Sequence, residues 1–259
     1  MSNVVKVEKL ERVVRITIDR PAVLNVLNWE TLDDLIVAFK DVGADPEVRA
    51  VIITGSGERA FIAGADVKDM INKTPDEARD FAKKGHLLCK TIEELREPVI
   101  AAINGVAMGG GCEIACSCDI RIASDNVRLG QTEVGLGISP GWGATVRLAR
   151  IVGQGVAREM IFTGKLLSSE EALRVGLVNA VVPADKLAEE ALKVANTIAA
   201  RAPIAVSLAK QSMNRALYLD TEAAYEVETD LFALCFSTLD QRAGMAAFIE
   251  KRRPEFEGR

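Results

Sequence analysis

The stretch Pro98–Ser124, PVIAAINGVAMGGGCEIACSCDIRIAS, holds the features that decide how this chain folds. "PVIAAING" predicts a buried strand ended by the turn pair Asn104-Gly105. Three glycines, Gly109–Gly111, then lead into "CEIACSC", which predicts the first turns of a helix that carries Glu113. A carboxylate buried alone costs several kcal/mol, and adjacent glycines lose the most conformational entropy on ordering. This combination needs an explanation beyond folding propensity.

The glycine run has two explanations. Glycines just before a helix let another molecule approach the backbone, whose free N–H groups point outward. Such donors can hold a developing oxyanion during catalysis. Alternatively, the glycines only permit tight packing of strand on helix, and Glu113 stabilises the positive helix N-terminus. The stretch alone leaves both explanations open.

Strands and helices alternate along the chain up to about residue 183. Strands are predicted by "VVRITIDRP", "VRAVIITG", "PVIAAING", "CDIRIAS" and "GLVNAVVP", and helices begin at the capping residues Asn28 and Thr74. This alternation predicts largely parallel pairing with crossover helices. Beyond it, the pattern is helical throughout. We expect an α/β chain with a core and functional site in residues 1–195 and a helical C-terminal region in residues 196–259.

Composition excludes several classes of protein. The chain has 259 residues, of which 49% are hydrophobic and 27% charged, and its formal net charge is −5. No basic face is available for nucleic acid or an anionic membrane. The N-terminus lacks the apolar run of a signal peptide, and no apolar stretch approaches the roughly 18 residues that span a bilayer. Five cysteines without scaffold-like spacing favour a reducing compartment, so we expect a cytoplasmic protein.

The single histidine limits the available chemistry. Any Ser-His-Asp or Cys-His catalytic site would have to use His86. His86 lies, however, in a charged amphipathic helix, which favours a surface position. Cys112, Cys116 and Cys118 lack the paired spacing of zinc sites, and we expect them to be small apolar filler and no metal to be bound. Acid–base chemistry must then come mainly from carboxylates, lysines or tyrosines.

A glycine pattern near residue 57 resembles a dinucleotide-binding fingerprint. "VRAVIITGSGERA" ends a predicted strand with Gly55, Gly57 and Ala60 at the fingerprint spacing. The fingerprint requires a helix that opens at the glycines and an acidic residue about 20 positions later. Here "FIAGADVKDM" follows instead, without a helical period. The pattern favours a surface turn, and no nicotinamide cofactor is predicted.

Two further segments favour the catalytic explanation of the glycine run. "FIAGAD", Phe61–Asp66, places a second loop of small residues ahead of a short helix and could supply a second backbone donor. "LGQTEVGLGISPGWG" carries Glu133 in a glycine-dense segment. By itself Glu133 favours an ordinary solvated loop carboxylate. Together, however, the segments offer two backbone donors and two carboxylates, a set suited to proton transfer beside a polarised carbonyl.

Six ordered motifs resemble the signature segments of the enoyl-CoA hydratase (crotonase) family, in particular its bacterial short-chain members, the 3-hydroxybutyryl-CoA dehydratases. They are "PAVLNVLN", "FIAGADVKDM", "NGVAMGGGCEIACSCDIRIAS", "GQTEVGLGISPGWGATVRL", "FTGKLLSSEEALRVGLVNAVVP" and "AFIEKRRPEF", and they cover essentially the whole chain. The resemblance implies an α/β crotonase-like spiral of ββα units with a C-terminal helical trimerisation region. It also implies a trimer or a dimer of trimers.

The resemblance implies reversible syn addition of water across C2=C3 of a trans-2-enoyl-CoA, giving 3-hydroxyacyl-CoA. No separate cofactor is implied, because coenzyme A is part of the substrate. Ala65 and Gly110 correspond to the oxyanion-hole donors, and Glu113 and Glu133 to the catalytic carboxylates. We assign water activation to Glu113 and proton delivery to C2 to Glu133, although the sequence does not distinguish the two roles.

The resemblance also implies a set of substrate contacts: Ala63, Gly64, Asp66, Val67, Lys68 and Trp142. Lys68 and the basic tail "EKRRPEF" are candidates to meet the CoA phosphates, with a solvated tail as the alternative. Trp142 is placed beside the acyl pocket, where an indole would favour four- to six-carbon chains; the alternative is that it packs in the core or at a subunit contact.

Two departures from the family pattern adjoin the pocket wall. The chain has Gly-Ala-Thr-Val-Arg-Leu at residues 143–148 where the family commonly has Gly-Gly-Thr-Gln-Arg-Leu, and Thr132 where proline is common. Both leave the acyl preference open. Retention of both glutamates favours a hydratase over the family's isomerases, which commonly lack the first. A non-catalytic CoA-binding subunit would lack a glutamate or have a blocked oxyanion hole.

Overall fold

The computed structural model describes residues 4–259, and within them ten strands form two sheets. The larger sheet has the order β1-β2-β3-β5-β7-β10 and the smaller one β4-β6-β8-β9. Pairing is parallel except for β1 with β2 and β8 with β9, which confirms the prediction of a largely parallel arrangement. The strands are β1 Val5–Leu10, β2 Val13–Ile18, β3 Ala50–Gly55, β4 Ala60–Ile62, β5 Val99–Ile103, β6 Val106–Met108, β7 Ile120–Ser124, β8 Arg128–Gly130, β9 Leu166–Ser168 and β10 Ala180–Val182.

The helices begin where the sequence places caps. The Asn28 side chain accepts a hydrogen bond from the Thr31 amide at 3.0 Å, and Thr74 forms a capping box with Glu77. The helices are α1 Trp29–Ala44, α2 Val67–Met70, α3 Pro75–Glu94, α4 Gly110–Ser117, α5 Ala144–Val152, α6 Gln154–Thr163, α7 Ser169–Arg174, α8 Leu187–Ala199, α9 Pro203–Ala216, α10 Thr221–Cys235 and α11 Leu239–Ile249. None of those in residues 4–259 combines the length and apolar character needed to cross a membrane.

Successive strands follow a repeating path. β3, β5 and β7 each enter the larger sheet, and the strand after each of them, β4, β6 and β8, enters the smaller sheet before the chain turns into helices. Three ββα turns therefore stack side by side, with parallel neighbours in both sheets. The spiral is a structural repeat that is present without any tandem repeat in the sequence.

The larger sheet is covered on both faces. One face, which includes Val13, Ile52 and Ile100, packs against the small residues of α8. The other face contributes residues such as Ile16 and Ile53 to the main core, shared with α1, α3 and α4. Burial on both faces explains why β5 is continuously apolar. Helix α8 spans the expected division at 195/196, and that division stays a prediction.

The segment with the dinucleotide-like glycines forms a turn. β3 ends at Gly55 and β4 begins at Ala60, so no helix opens at Gly57. A Cβ on Gly55 would lie 2.3 Å from the Phe61 carbonyl oxygen, and this close approach explains the glycine. The interpretation as a surface turn is confirmed.

Candidate active site

Three short parallel strands bring the segments of interest together. In the smaller sheet β6 pairs with β4 on one side and β8 on the other, so their carboxyl ends lie at one edge. The small-residue loop 63–66 follows β4, the glycine run follows β6, and Glu133 follows β8. A Cβ on Gly64 would lie 3.3 Å from the Met108 carbonyl oxygen, and one on Gly109 would lie 3.2 Å from Oε1 of Glu133. The predicted loops are therefore in contact.

Two backbone amides at this edge have no acceptor within residues 4–259. Leu27 forms a parallel bridge with Ala65, in which the Leu27 amide donates to the Gly64 carbonyl and the Asp66 amide donates to Leu27, both at 2.9 Å. In this pattern the N–H of Ala65 points to the opposite side. Gly110 is the first residue of α4, and its N–H has no partner within the helix. The two donors lie on adjacent loops.

Glu113 lies in the first turn of α4, with 2% of its surface exposed. Its Oε1 accepts hydrogen bonds from the Trp142 amide at 2.8 Å and the Ala144 amide at 2.9 Å. Burial raises the pKa of Glu113, whereas these backbone donors and the charge of Arg147 lower it. The loop that carries Trp142 thus supports a carboxylate that would otherwise be buried without partners.

Glu133 begins the 3₁₀ helix Glu133–Leu136 and is 8% exposed, which contradicts the interpretation as a solvated loop residue. Burial raises its pKa to about 7, and the charge of Glu113 adds to the rise against opposing backbone hydrogen bonds. Sequence reasoning missed its neighbour Gln131, which is fully buried. With its amide nitrogen turned toward Glu133, Gln131 donates to Oε1 at 2.8 Å and to Oε2 at 3.2 Å. The available signal was that Gln131 and Glu133 are two residues apart in the segment that follows β8.

The indole of Trp142 fills the space between two helices and is 4% exposed. A Cβ on Gly85 of α3 would lie 2.1 Å from the ring, and one on Gly110 would lie 2.3 Å from it. Phe81 contacts the same ring at a centroid distance of 5.4 Å. A mid-helix glycine costs about 0.5–1 kcal/mol, and here the close approach of the indole requires it. Contact of Trp142 with substrate stays a prediction.

The other predicted substrate contacts surround the loop after β4. Asp66 caps α2 by accepting a hydrogen bond from the Lys68 amide at 3.1 Å. The Lys68 side chain is exposed, and no ion pair joins it to any residue in 4–259. In the basic tail, Arg252 pairs with Glu250 at 2.5 Å. The C-terminal segment itself is held at Phe256, whose carbonyl accepts from Arg49 at 2.6 Å.

The remaining reactive side chains lie away from this arrangement or are shielded. His86 is exposed on α3, as predicted. Cys112, Cys116 and Cys118 are buried free thiols in the core, which confirms the interpretation as apolar filler. Burial also raises the pKa of Cys89 to about 12. Within residues 4–259, no three His, Cys, Asp or Glu side chains are grouped closely enough to hold a metal ion.

Known proteins resemble this chain over nearly its whole length. The Enoyl-CoA hydratase/isomerase family matches residues 8–259. A short-chain-enoyl-CoA hydratase of Clostridium acetobutylicum is 49% identical over 255 residues, which is 98% of this chain and 97% of that protein. A crotonyl-CoA hydratase of Syntrophomonas wolfei is 46% identical over 249 residues, 96% of each chain. The crystal structure of an enoyl-CoA hydratase from Bacillus anthracis superposes with a TM-score of 0.96 at 38% identity, covering 99% of this chain and 100% of that one. The chain therefore belongs to the enoyl-CoA hydratase/isomerase family and has the crotonase fold that its motifs predict.

Proposed function

We propose that this protein adds water reversibly across C2=C3 of short-chain trans-2-enoyl-CoA, such as crotonyl-CoA, to give 3-hydroxyacyl-CoA. The observation that carries the proposal is the pair of buried carboxylates, Glu113 and Glu133, beside two backbone amides that have no acceptor in the described part of the chain. The family and the names of the relatives support the same activity. A nucleophilic mechanism has no supporting residues here, because His86 is exposed and Cys112 is buried in the core.

The proposed reaction uses the backbone to polarise the thioester. The N–H groups of Ala65 and Gly110 donate to the thioester oxygen and stabilise the negative charge that develops there. Ionised Glu113 takes a proton from water as the water oxygen bonds to C3, and protonated Glu133 gives its proton to C2. One proton then passes from Glu113 to Glu133 and restores the starting state, so the two carboxylates act as a coupled pair.

A direct assay tests this function. Purified protein is mixed with crotonyl-CoA, and the absorbance of the enoyl thioester is followed with time. Hydration removes the absorbance at a rate proportional to protein, and 3-hydroxybutyryl-CoA accumulates. A non-catalytic CoA-binding subunit would retain crotonyl-CoA without changing the absorbance, and that result would overturn the proposal.

We expect Glu133 to lower stability at alkaline pH. Since folding raises its pKa from the ordinary 4.5 to about 7, the folded state is favoured when Glu133 is protonated. This stabilisation is fully present below the unfolded pKa and is lost as the pH rises through about 7. Glu133→Gln cannot ionise, so from pH 4.5 to 8 it should lose less unfolding free energy than wild type, by on the order of 1–2 kcal/mol after allowance for solvent screening.

Denaturant unfolding of both proteins at the two pH values measures this difference. The same ionisation removes the proton that C2 receives, so hydration should slow above about pH 7. Identical pH dependence of stability in wild type and Glu133→Gln would show that folding does not shift this carboxyl.

Trp142 is proposed to limit the acyl chain. Because its indole lies directly on Gly110, it occupies volume beside the proposed thioester site, and overfilling a packed site costs roughly 1–3 kcal/mol. We expect wild type to prefer four- to six-carbon enoyl-CoA over chains of ten carbons and more. Trp142→Ala should speed long substrates more than short ones, measured as kcat/KM for each chain length.

Two further variants control for damage to the fold. Trp142→Leu opens the same space with a smaller loss of packing, and Trp142→Phe keeps most of the bulk and should keep the wild-type preference. If wild type hydrates decenoyl-CoA as efficiently as crotonyl-CoA, Trp142 does not limit the chain.

The CoA contacts and the assembly belong to the same proposal. Exposed Lys68 is proposed to meet a CoA phosphate, with Lys251, Arg252 and Arg253 of the tail as further candidates. The loop residues Ala63, Gly64, Asp66 and Val67 are proposed to line the approach to the thioester. No cofactor besides the CoA of the substrate is needed. A cytoplasmic location is part of the proposal, and the cysteine usage, which favours a reducing compartment, supports it.

A homotrimer, or a dimer of trimers, is proposed for the assembly. Helices α10 and α11 expose large apolar side chains, among them Phe232, 64% exposed, and Phe248, 86% exposed. Apolar surface of this extent on a helical region favours contact with further copies of the chain. Neither nucleic acid nor membrane has a place in the proposal.

A further inference from the structure

A half-buried ion pair joins α3 to α5 and has no part in the reaction described above. Nε of Arg147 lies 2.5 Å from Oε1 of Glu93, and Nη2 of Arg147 lies 2.7 Å from Oε2. The two side chains are 16% and 27% exposed. Such a bidentate pair fixes the plane of the guanidinium as well as its position. The outer side of the pair faces a cavity of about 720 Å³ between α3 and α9, away from the two catalytic carboxylates.

The third contact of the guanidinium connects the pair to the site. Nη1 of Arg147 donates to the Trp142 carbonyl oxygen at 2.8 Å. The N–H of the same residue donates to Oε1 of Glu113 at 2.8 Å. Gly143 has a φ of +115°, and a Cβ there would lie 2.0 Å from Nη1, so only glycine allows this approach. Arg147 therefore binds the carbonyl of Trp142, and the amide of the same residue binds Glu113.

We propose that Glu93 and Arg147 are positioning residues for Glu113, which fix the peptide groups of residues 142–144 so that two N–H donors face its carboxylate. This inference rests on the proposed role of Glu113 in hydration. Glu93 orients Arg147, Arg147 binds the Trp142 carbonyl, and the loop presents its amides. The loop needs such an anchor because it contains Gly141 and Gly143, whose backbone has little conformational preference of its own.

Helix α9 of the C-terminal region also contacts Glu93. Nδ2 of Asn214 donates to the Glu93 carbonyl oxygen at 2.8 Å. The backbone of α3 at Glu93 is therefore fixed from one side by α9, while its side chain holds Arg147 on the other. The positioning role is assigned to the side chains of Glu93 and Arg147 and not to this backbone contact.

Several titratable groups interact electrostatically with Glu113, and they set the background against which Arg147 affects its pKa. Arg147 approaches from α5, Glu133 from the segment after β8, Cys89 from α3, and Cys112 from α4 itself. Cys116, also on α4, completes the set. Arg147 is the cation among them, and its charge lowers the pKa of Glu113. Loss of that charge should make Glu113 ionise at higher pH.

Variants at Arg147 separate its charge from its geometry. Arg147→Met removes both, so kcat for crotonyl-CoA should fall roughly 10- to 100-fold, the scale of a misplaced catalytic group, with KM within about twofold, and the acid limb of the pH profile should move to higher pH. Arg147→Lys keeps the charge but cannot hold Glu93 and the Trp142 carbonyl together. It should lower kcat and move the acid limb to higher pH by less than Arg147→Met does, because the N–H donors are lost while the charge is kept. Glu93→Gln should also lower kcat, because Arg147 loses its orientation.

The matched control is an ion pair of similar exposure that joins α9 to the residue before β7. Nζ of Lys210 lies 2.7 Å from Oδ2 of Asp119, with side chains 7% and 26% exposed, and it does not contact residues 142–144. Lys210→Met should lower Tm while kcat and the acid limb stay at wild-type values. If Lys210→Met and Arg147→Met lower kcat equally for an equal loss of Tm, and the acid limb stays in place, the pair serves stability alone.

A second readout is independent of turnover. Carbon-13 NMR of glutamate carboxyl groups follows the titration of Glu113 in the free protein, with its resonance assigned by its absence in Glu113→Gln. We expect Glu113 to titrate at higher pH in Arg147→Met than in wild type. Arg147→Lys, which keeps the charge, should also titrate at higher pH than wild type, because the N–H donors of residues 142–144 no longer face the carboxylate. Unchanged titration in Arg147→Lys would overturn the inference whether or not the protein hydrates crotonyl-CoA.

Discussion

Glu113→Gln and Glu133→Gln are each expected to lower the kcat of crotonyl-CoA hydration by at least ~10²-fold, the usual scale for a general acid or base. The amide keeps the shape of each side chain but can neither accept the proton from water nor supply one to C2. KM should change little, since the thioester is held by backbone amides. Steady-state kinetics with the folded variants measure both constants.

Glu97→Gln is a matched control for this pair of substitutions. Glu97 is also a buried glutamate, 5% exposed, and burial raises its pKa as well. It lies between α3 and β5, outside the proposed site, and pairs with Arg96 at 3.0 Å. Full turnover is expected. Near wild-type kcat in either catalytic variant would show that the mechanism does not need two carboxylates.

Ala65→Pro should lower kcat by about 10²-fold or more, the effect of losing one oxyanion-hole donor. Proline removes the N–H of residue 65, whereas the bridge with Leu27 uses the Gly64 carbonyl and the Asp66 amide and can persist. The loss should be in turnover of crotonyl-CoA more than in its binding, because the donor acts on charge that develops during the reaction.

Ala65→Val provides the comparison for this substitution. It retains the N–H and adds bulk at the same position, so it should lower kcat less than proline does. Circular dichroism and thermal unfolding establish that both variants fold. If folded Ala65→Pro hydrates crotonyl-CoA at the wild-type rate, the N–H of Ala65 has no part in the mechanism.

Sequence patterns predicted the long elements and the family but only part of the architecture. Five of the six strands of the larger sheet, all except β1, and helices such as α1 and α3 were identified from their apolar pattern and capping residues. β4, β6, β8 and β9 have three residues each, too few for an alternation to be visible. The smaller sheet, which brings the functional segments to one edge, was therefore not predictable from local pattern.

The functional residues were likewise predictable where their chemistry is unusual in the sequence, and not where their role depends on contacts in the folded chain. Glu113 and Glu133 were found because carboxylates beside glycines are costly and because the motifs resemble a known family. Gln131 and Arg147 were missed, because glutamine and arginine are unremarkable in sequence and act here through contacts between elements distant along the chain. Trp142 was noticed, but its fit against Gly85 and Gly110 depends on the packing of α3 on α4.

The shared edge of β4, β6 and β8 divides the labour of the site among three turns of the spiral. The first turn supplies the amide of Ala65, the second supplies the amide of Gly110 together with Glu113, and the third supplies Glu133. Each contribution follows its own strand, so one turn can acquire a new side chain while the others keep their proposed contacts with the thioester. Such modularity makes the scaffold evolvable: a lineage can exchange its proton carriers and acquire a different reaction on the same activated acyl group without rebuilding the fold.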